Sequence, residues 1–189
     1  IIFSSLFSLQ SQNKFSKRKI ENLKEEVSQL VEDDKKMTQV MIDKVFSFGE
    51  LGFQEFETSK YLGKILEENG FDVEYQISDI PTSWLATWSN GEGGPTIALG
   101  SDFDGVPSTS QYPGVAYEKP VVEGAPGHGE GHNIGLPIVI TSAIAIKKIM
   151  IENNINGKLV LWPGVAEEIL GAKAWYVRDG YFDNVDMCI

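Results

Sequence analysis

The sequence predicts an α/β domain in which a mixed, largely parallel sheet is flanked by helices. Three observations carry this: amphipathic helical stretches up to about Glu68, short continuous apolar runs after it, and a long apolar segment between two of those runs. From Ile20, the residues Leu23, Val27, Leu30 and Val31 recur at helical spacing and describe a surface helix with one buried stripe. Met37 to Phe48 continues as a second helix stopped by Gly49, and Thr58 to Glu68 as a third stopped by Asn69-Gly70. Phe71 to Gln76 and Trp84 to Trp88 alternate as strands, and Asn90 to Gly94 is a turn of the hairpin kind. Pro95 to Gly100 is a strand buried on both faces that runs into Ser101-Asp-Phe-Asp104. A Gly- and Pro-rich loop, roughly Gly105 to Asn133, leads to a buried helix over Pro137 to Met150, because that stretch is apolar around most of its circumference. Lys158 to Trp162 is the next buried strand and delivers Glu167-Glu168, and Asp186 to Ile189 begins another. The order strand, crossover helix, strand makes the two buried strands parallel, with both carboxyl ends on one sheet edge, where ligands bind in open α/β folds.

Composition sets limits on function. The 189 residues are 42% hydrophobic and 23% charged, an ordinary globular balance that excludes a disordered chain. A formal net charge of −11 repels a phosphate backbone, and the only basic cluster is Lys14 to Lys19, so nucleic acid is not an expected partner. The single cysteine, Cys188, excludes an internal disulfide framework. Residues 1–18 are expected to be a signal-peptide remnant and linker, since Ile1 to Leu9 is apolar and Ser-rich ahead of a polar SQNKFSKRK stretch; residues 19–189 form the domain. If that reading holds the protein is periplasmic or secreted, and otherwise cytoplasmic. No other stretch approaches transmembrane length.

Gly127-His-Gly-Glu-Gly-His-Asn133 holds both histidines. In an extended backbone His128, Glu130 and His132 point to one side, and imidazole plus carboxylate suits Zn, Mn, Co or Ni; a Gly-rich turn with solvated histidines is the alternative. Glu167 and Glu168 follow a buried strand and diverge, so that one can bind a metal while the other moves protons; a solvated acidic surface is the alternative. Asp102 and Asp104 can face the same way, either to bind metal, to hold a ligating imidazole, or to cap the strand end.

Four segments occur in an order that resembles a known family: Gly49-Glu-Leu-Gly-Phe-Gln-Glu-Phe-Glu-Thr58, Asp102-Phe-Asp-Gly-Val-Pro107, Gly127 to Asn133, and Ala166-Glu-Glu168. The chain is similar to co-catalytic metallopeptidases of the aminoacylase and carboxypeptidase superfamily, in the amidohydrolase branch and nearest there to aminobenzoyl-glutamate hydrolases. The resemblance covers nearly all the chain after about Ile20. It implies part of a catalytic domain, with the dimerisation domain absent from this stretch and a homodimer formed at full length. It also implies two divalent metal ions (Zn, Mn or Co), with Glu130, His132 and Glu168 as ligands and Glu167 as general base. Asp102, Asp104 and His128 are expected in supporting or substrate-facing positions. The implied reaction is hydrolysis of the amide bond of an N-acyl or aminobenzoyl amino acid or small peptide. Its rivals are a dipeptidase or carboxypeptidase on the same scaffold, and a non-catalytic metal-binding or assembly protein. The chain departs from the family where Glu130 stands in place of a ligating cysteine. Further histidine ligands are implied beyond Ile189, so this stretch alone is expected to be inactive.

Overall fold

The computed structural model describes residues 15–189; Ile1 to Leu9, the expected leader remnant, lie outside the described residues. Three helices open the described chain: α1 (Lys17–Asp33), α2 (Lys35–Phe48) and α3 (Phe56–Glu68). Ser16 caps α1 through a 3.2 Å bond from the Lys19 N–H, and Gly49 ends α2 in the left-handed region that glycine enters without steric cost. The predicted stripe on α1 is only half-buried, with Ile20 exposed, because α1 rests mainly on α4.

The strands are β1 (Asp72–Tyr75), β2 (Trp84–Asn90), β3 (Thr96–Asp102), β4 (Gly157–Gly164) and β5 (Met187–Cys188), in the spatial order β1-β2-β4-β3-β5. Pairings β1·β2 and β2·β4 are antiparallel, and β4·β3 and β3·β5 are parallel. The sheet is thus mixed, and its parallel half is the half that carries acidic strand ends. The turn between β2 and β3 does not close a hairpin: β4 lies between these strands, and the turn bridges its entrance. Asn156 holds it there by donating a 2.8 Å hydrogen bond to the Glu92 carbonyl.

Between β3 and β4 runs α4 (His132–Glu152). It begins five residues ahead of the expected Pro137, which sits inside the helix, since the left-handed Gly131 and not the proline sets its start. Against the expectation that no stretch beyond the N-terminus approaches transmembrane length, α4 at 21 residues is long and apolar enough to cross a membrane, unlike any other described helix. In the fold it lies against β3, β4, α1 and α2, burying Leu136, Ile140, Ala143 and Ile149, while Ile134, Ile138 and Ile151 stay exposed. It is therefore half-covered, where apolarity around its circumference predicted full burial. A fifth helix, α5 (Lys173–Arg178), follows β4.

The core gathers Met41, Val45, Leu62, Leu66, Trp84, Leu136, Ile140 and Leu161, all fully buried. Successive residues of β4 point to opposite sides, so Trp162 instead meets Tyr176 and Phe182 edge-on at 6.5 and 5.4 Å between ring centres. Its indole lies across Gly100, the residue paired with it in β3; a Cβ at Gly100 would stand 2.2 Å from Trp162 Cε2. Gly100→Ala is expected to cost about 1–3 kcal/mol by overpacking. Urea unfolding checks this, and an unchanged midpoint contradicts the packing described.

Candidate metal centre

Register brings three elements to one edge. In the parallel pair, Thr96 opposes Lys158 and Asp102 opposes Gly164, so both strands end level. Beyond β4 the chain turns through Val165 and Ala166 into a short 3-10 turn at Glu167–Ile169. The long loop after Asp102 returns to the same place. Val106 bridges to Gly127, and the Thr109 hydroxyl lies 2.9 Å from the Val106 carbonyl and 2.8 Å from that of Gly127, which ties the loop base shut ahead of His132.

His132, the first residue of α4, is the hub. Its Nδ1 lies 3.2 Å from both the carbonyl oxygen and Oδ1 of Asp104, and its Nε2 lies 2.8 Å from Glu130 Oε2. Glu167 stands 3.9 Å from Nε2 and Glu168 4.0 Å from Nδ1, so the paired glutamates flank opposite ring edges. Asp104 is buried, and its other oxygen accepts the Glu168 N–H at 3.0 Å. One carboxylate thereby holds both the imidazole and the acidic turn. Two ligand triads result, Glu130–His132–Glu168 and Asp102–His132–Glu167, each with donor atoms within 4.8 Å of one another. Desolvation pushes the Glu168 carboxyl up; His132 opposes this, and the negative charges of Asp104, Glu167 and Glu130 add to it.

His128 stands apart. Its Nε2 is 3.1 Å from the Val45 carbonyl, its ring lies near Phe46, and its buried Nδ1 has no hydrogen-bond partner among the described residues. Burial lowers its pKa, which favours the neutral ring. The expected same-side row of His128, Glu130 and His132 does not form, because the chain is not extended there: Gly131 has φ 108° and α4 starts at the next residue. Asp102 and Asp104 both reach His132 but differ in their other partners. Asp102 pairs with Lys173 Nζ at 2.8 Å, and a Cβ at Gly164 would lie 1.7 Å from Asp102 Oδ1, so only glycine leaves room for that carboxylate.

Lys173 was not anticipated. Its Nζ also approaches Glu167 at 3.9 Å, placing a cation between Asp102 and Glu167. The available signal was that it is the only basic residue between Glu167 and Arg178.

Fold and donor set together define an α/β domain whose carboxyl-end sheet edge is lined by carboxylates around an imidazole. No family model matches the chain. It is 31% identical over 163 residues to one of the subunits of p-aminobenzoyl-glutamate hydrolase from Escherichia coli, covering 86% of this chain and 34% of that protein. To hippurate hydrolase of Campylobacter jejuni it is 32% identical over 139 residues, covering 72% and 33%. The chain thus spans about a third of the length of these curated relatives. Among solved structures, a Staphylococcus aureus protein described as an aminohydrolase superposes with TM-score 0.73 at 21% identity, over 87% of this chain and 41% of that one. A dinuclear metal-binding peptidase of the M20 family from Bacillus subtilis gives 0.60 at 22%, over 82% and 42%. In fold the chain is thus similar to the M20 peptidase, and in sequence to the two amidohydrolases.

Proposed function

We propose that the full-length protein is a metal-dependent amidohydrolase that cleaves the amide bond of an N-acyl or aminobenzoyl amino acid, or of a small peptide. The observation that carries this reading is the convergence of Glu130, His132 and Glu168, with donor atoms within 4.8 Å, beside a further carboxylate, Glu167, that is not needed in that triad. Four carboxylates crowd one imidazole here, and of these Lys173 approaches Glu167, at 3.9 Å, so the oxygen and nitrogen donors fit divalent cations such as Zn, Mn or Co. Glu130, His132 and Glu168 would hold one ion, and Asp102 offers a carboxylate toward a second whose other ligands would come from elsewhere in the full-length protein.

Bound there, divalent cations supply Lewis acidity toward the substrate carbonyl and make an attacking water more acidic. The protein's own groups do the rest. Asp104 fixes the His132 ring and the turn that carries Glu168. Glu167 takes the proton from the water as its oxygen bonds to the amide carbon, then gives it to the nitrogen as the carbon–nitrogen bond breaks. The products are a carboxylate and an amine. Metal content of the full-length protein and its turnover of aminobenzoyl-glutamate, hippurate and dipeptides test the proposal; a metal-free protein inert toward all three classes overturns it.

Glu130 offers a hard carboxylate at the position where the resemblance implies a thiolate. In the full-length protein Glu130→Cys is expected to shift metal preference toward softer ions and to make activity sensitive to thiol oxidants. An unchanged metal profile means that Glu130 is not a ligand.

A further inference from the structure

The stretch Gly49–Glu55 is the one motif that the proposed reaction leaves without a task. Its first glutamate, Glu50, accepts the backbone N–H groups of Glu57 at 3.0 Å and Thr58 at 2.9 Å, which satisfies the open end of α3. Its second, Glu55, does something else. It is fully buried, with one oxygen accepting the Ala166 N–H at 2.9 Å and the other the Thr82 hydroxyl at 2.8 Å. A buried carboxylate is unfavourable unless donors meet it, and desolvation pushes this one up. What it holds is unusual in turn: Ala166 has φ 54°, a left-handed conformation costly for a residue with a Cβ, immediately ahead of Glu167.

Ala166 is also confined by contact. A Cβ at Gly52 would lie 2.9 Å from its Cα and Cβ, and one at Gly171 would lie 2.9 Å from its Cβ and 3.0 Å from its carbonyl oxygen. The motif therefore acts on Ala166 twice, through the Glu55 hydrogen bond and through the bare backbone of Gly52.

We propose that Glu55 is a positioning residue for the acidic pair: by holding the Ala166 N–H it fixes the left-handed turn that aims Glu167 and Glu168 at His132. The inference rests on the functional reading of those two glutamates and deepens it. Without the bond, Ala166 relaxes toward ordinary φ values and the following Cα–Cβ directions swing away from the imidazole.

The test compares variants of the full-length protein by steady-state kinetics, metal content and thermal unfolding. Glu55→Ala is expected to lower kcat by about 10–100-fold with KM nearly unchanged, as misplacement of reacting groups does. Glu55→Gln keeps an acceptor for the Ala166 N–H and is expected to restore most of kcat. Thr82→Val removes the other donor from the same carboxylate and should lower Tm while leaving kcat nearly intact. Gly52→Ala displaces Ala166 without touching Glu55 and should reproduce the kcat loss. The inference is overturned if kcat simply tracks Tm across the series, or if Glu55→Ala keeps full kcat. Should Glu55→Ala fail to fold, undiminished kcat in Gly52→Ala overturns it instead. A wild-type protein without metal or turnover refutes the underlying functional reading, whereas active wild type with equally active Glu55→Ala refutes this inference alone.

Discussion

Glu167→Gln in the full-length protein is expected to keep its metal while kcat falls by about two or more orders of magnitude, because an amide in place of the carboxylate cannot accept the water proton. The geometry supports the separation of roles. Glu130 and His132 form a close pair at 2.8 Å, and the triad they complete with Glu168 does not need Glu167. Glu168→Gln is expected to act differently, weakening metal binding first and losing activity as a result. Elemental analysis after gel filtration, alongside kcat at saturating added metal, separates the two. Equal metal loss in both variants contradicts the assigned division of labour, and full activity in Glu167→Gln removes its role as base.

The second large effect is expected at Asp104. Its carboxylate is buried, faces His132 Nδ1 at 3.2 Å and accepts the Glu168 N–H at 3.0 Å, so Asp104→Ala frees the ring and strands a backbone donor together. Loss of such an orienting partner typically lowers metal affinity by about 10–100-fold. The unpaired Glu168 N–H adds a destabilisation of about 1–3 kcal/mol where it stays dry. Asp104→Asn retains an acceptor oxygen and is expected to fall between wild type and Asp104→Ala. Competition with a chromophoric chelator measures the affinities, and an Asp104→Ala protein that holds metal as tightly as wild type would show that Asp104 only packs.

Much of the fold was legible because its signals are local. The apolar runs at Pro95 to Gly100 and Lys158 to Trp162 could be read as strands, and the apolar helix between them made them parallel, as β3 and β4 are; burial on both faces holds better for β4 than for β3, where only Ala98 is buried. The turn at Asn90 to Gly94 misled for the opposite reason. Nothing near it shows that a strand arriving after α4 will insert between its two arms. The start of α4 was hidden by its own composition, since a Gly-rich run reads as loop and Pro137 as a boundary, while Gly131 alone decides where the helix begins. At the site, Asp102, Glu130, His132, Glu167 and Glu168 could be named because they cluster in short motifs, and the structure brings their donor atoms together. Glu55 and Lys173 could not. The Ala166 partner of Glu55 lies 111 residues away, and Lys173 on α5 pairs with Asp102 at the end of β3, so each acquires its meaning only when the sheet has closed.

The central position of β4 also bears on how the molecule is made. A nascent chain that has reached Glu152 already contains β2 and β3, but the strand that bonds both has not yet been synthesised. Until it emerges, each of these strands presents open main-chain donors and acceptors along the side meant for β4, a template for pairing with other chains. Closure is then expected to wait on a late, long-range insertion, with Gly157 to Gly164 entering the gap and pairing with β2 and β3. The same step levels the strand ends under Asp102, while the far side of β3 stays open until β5 arrives.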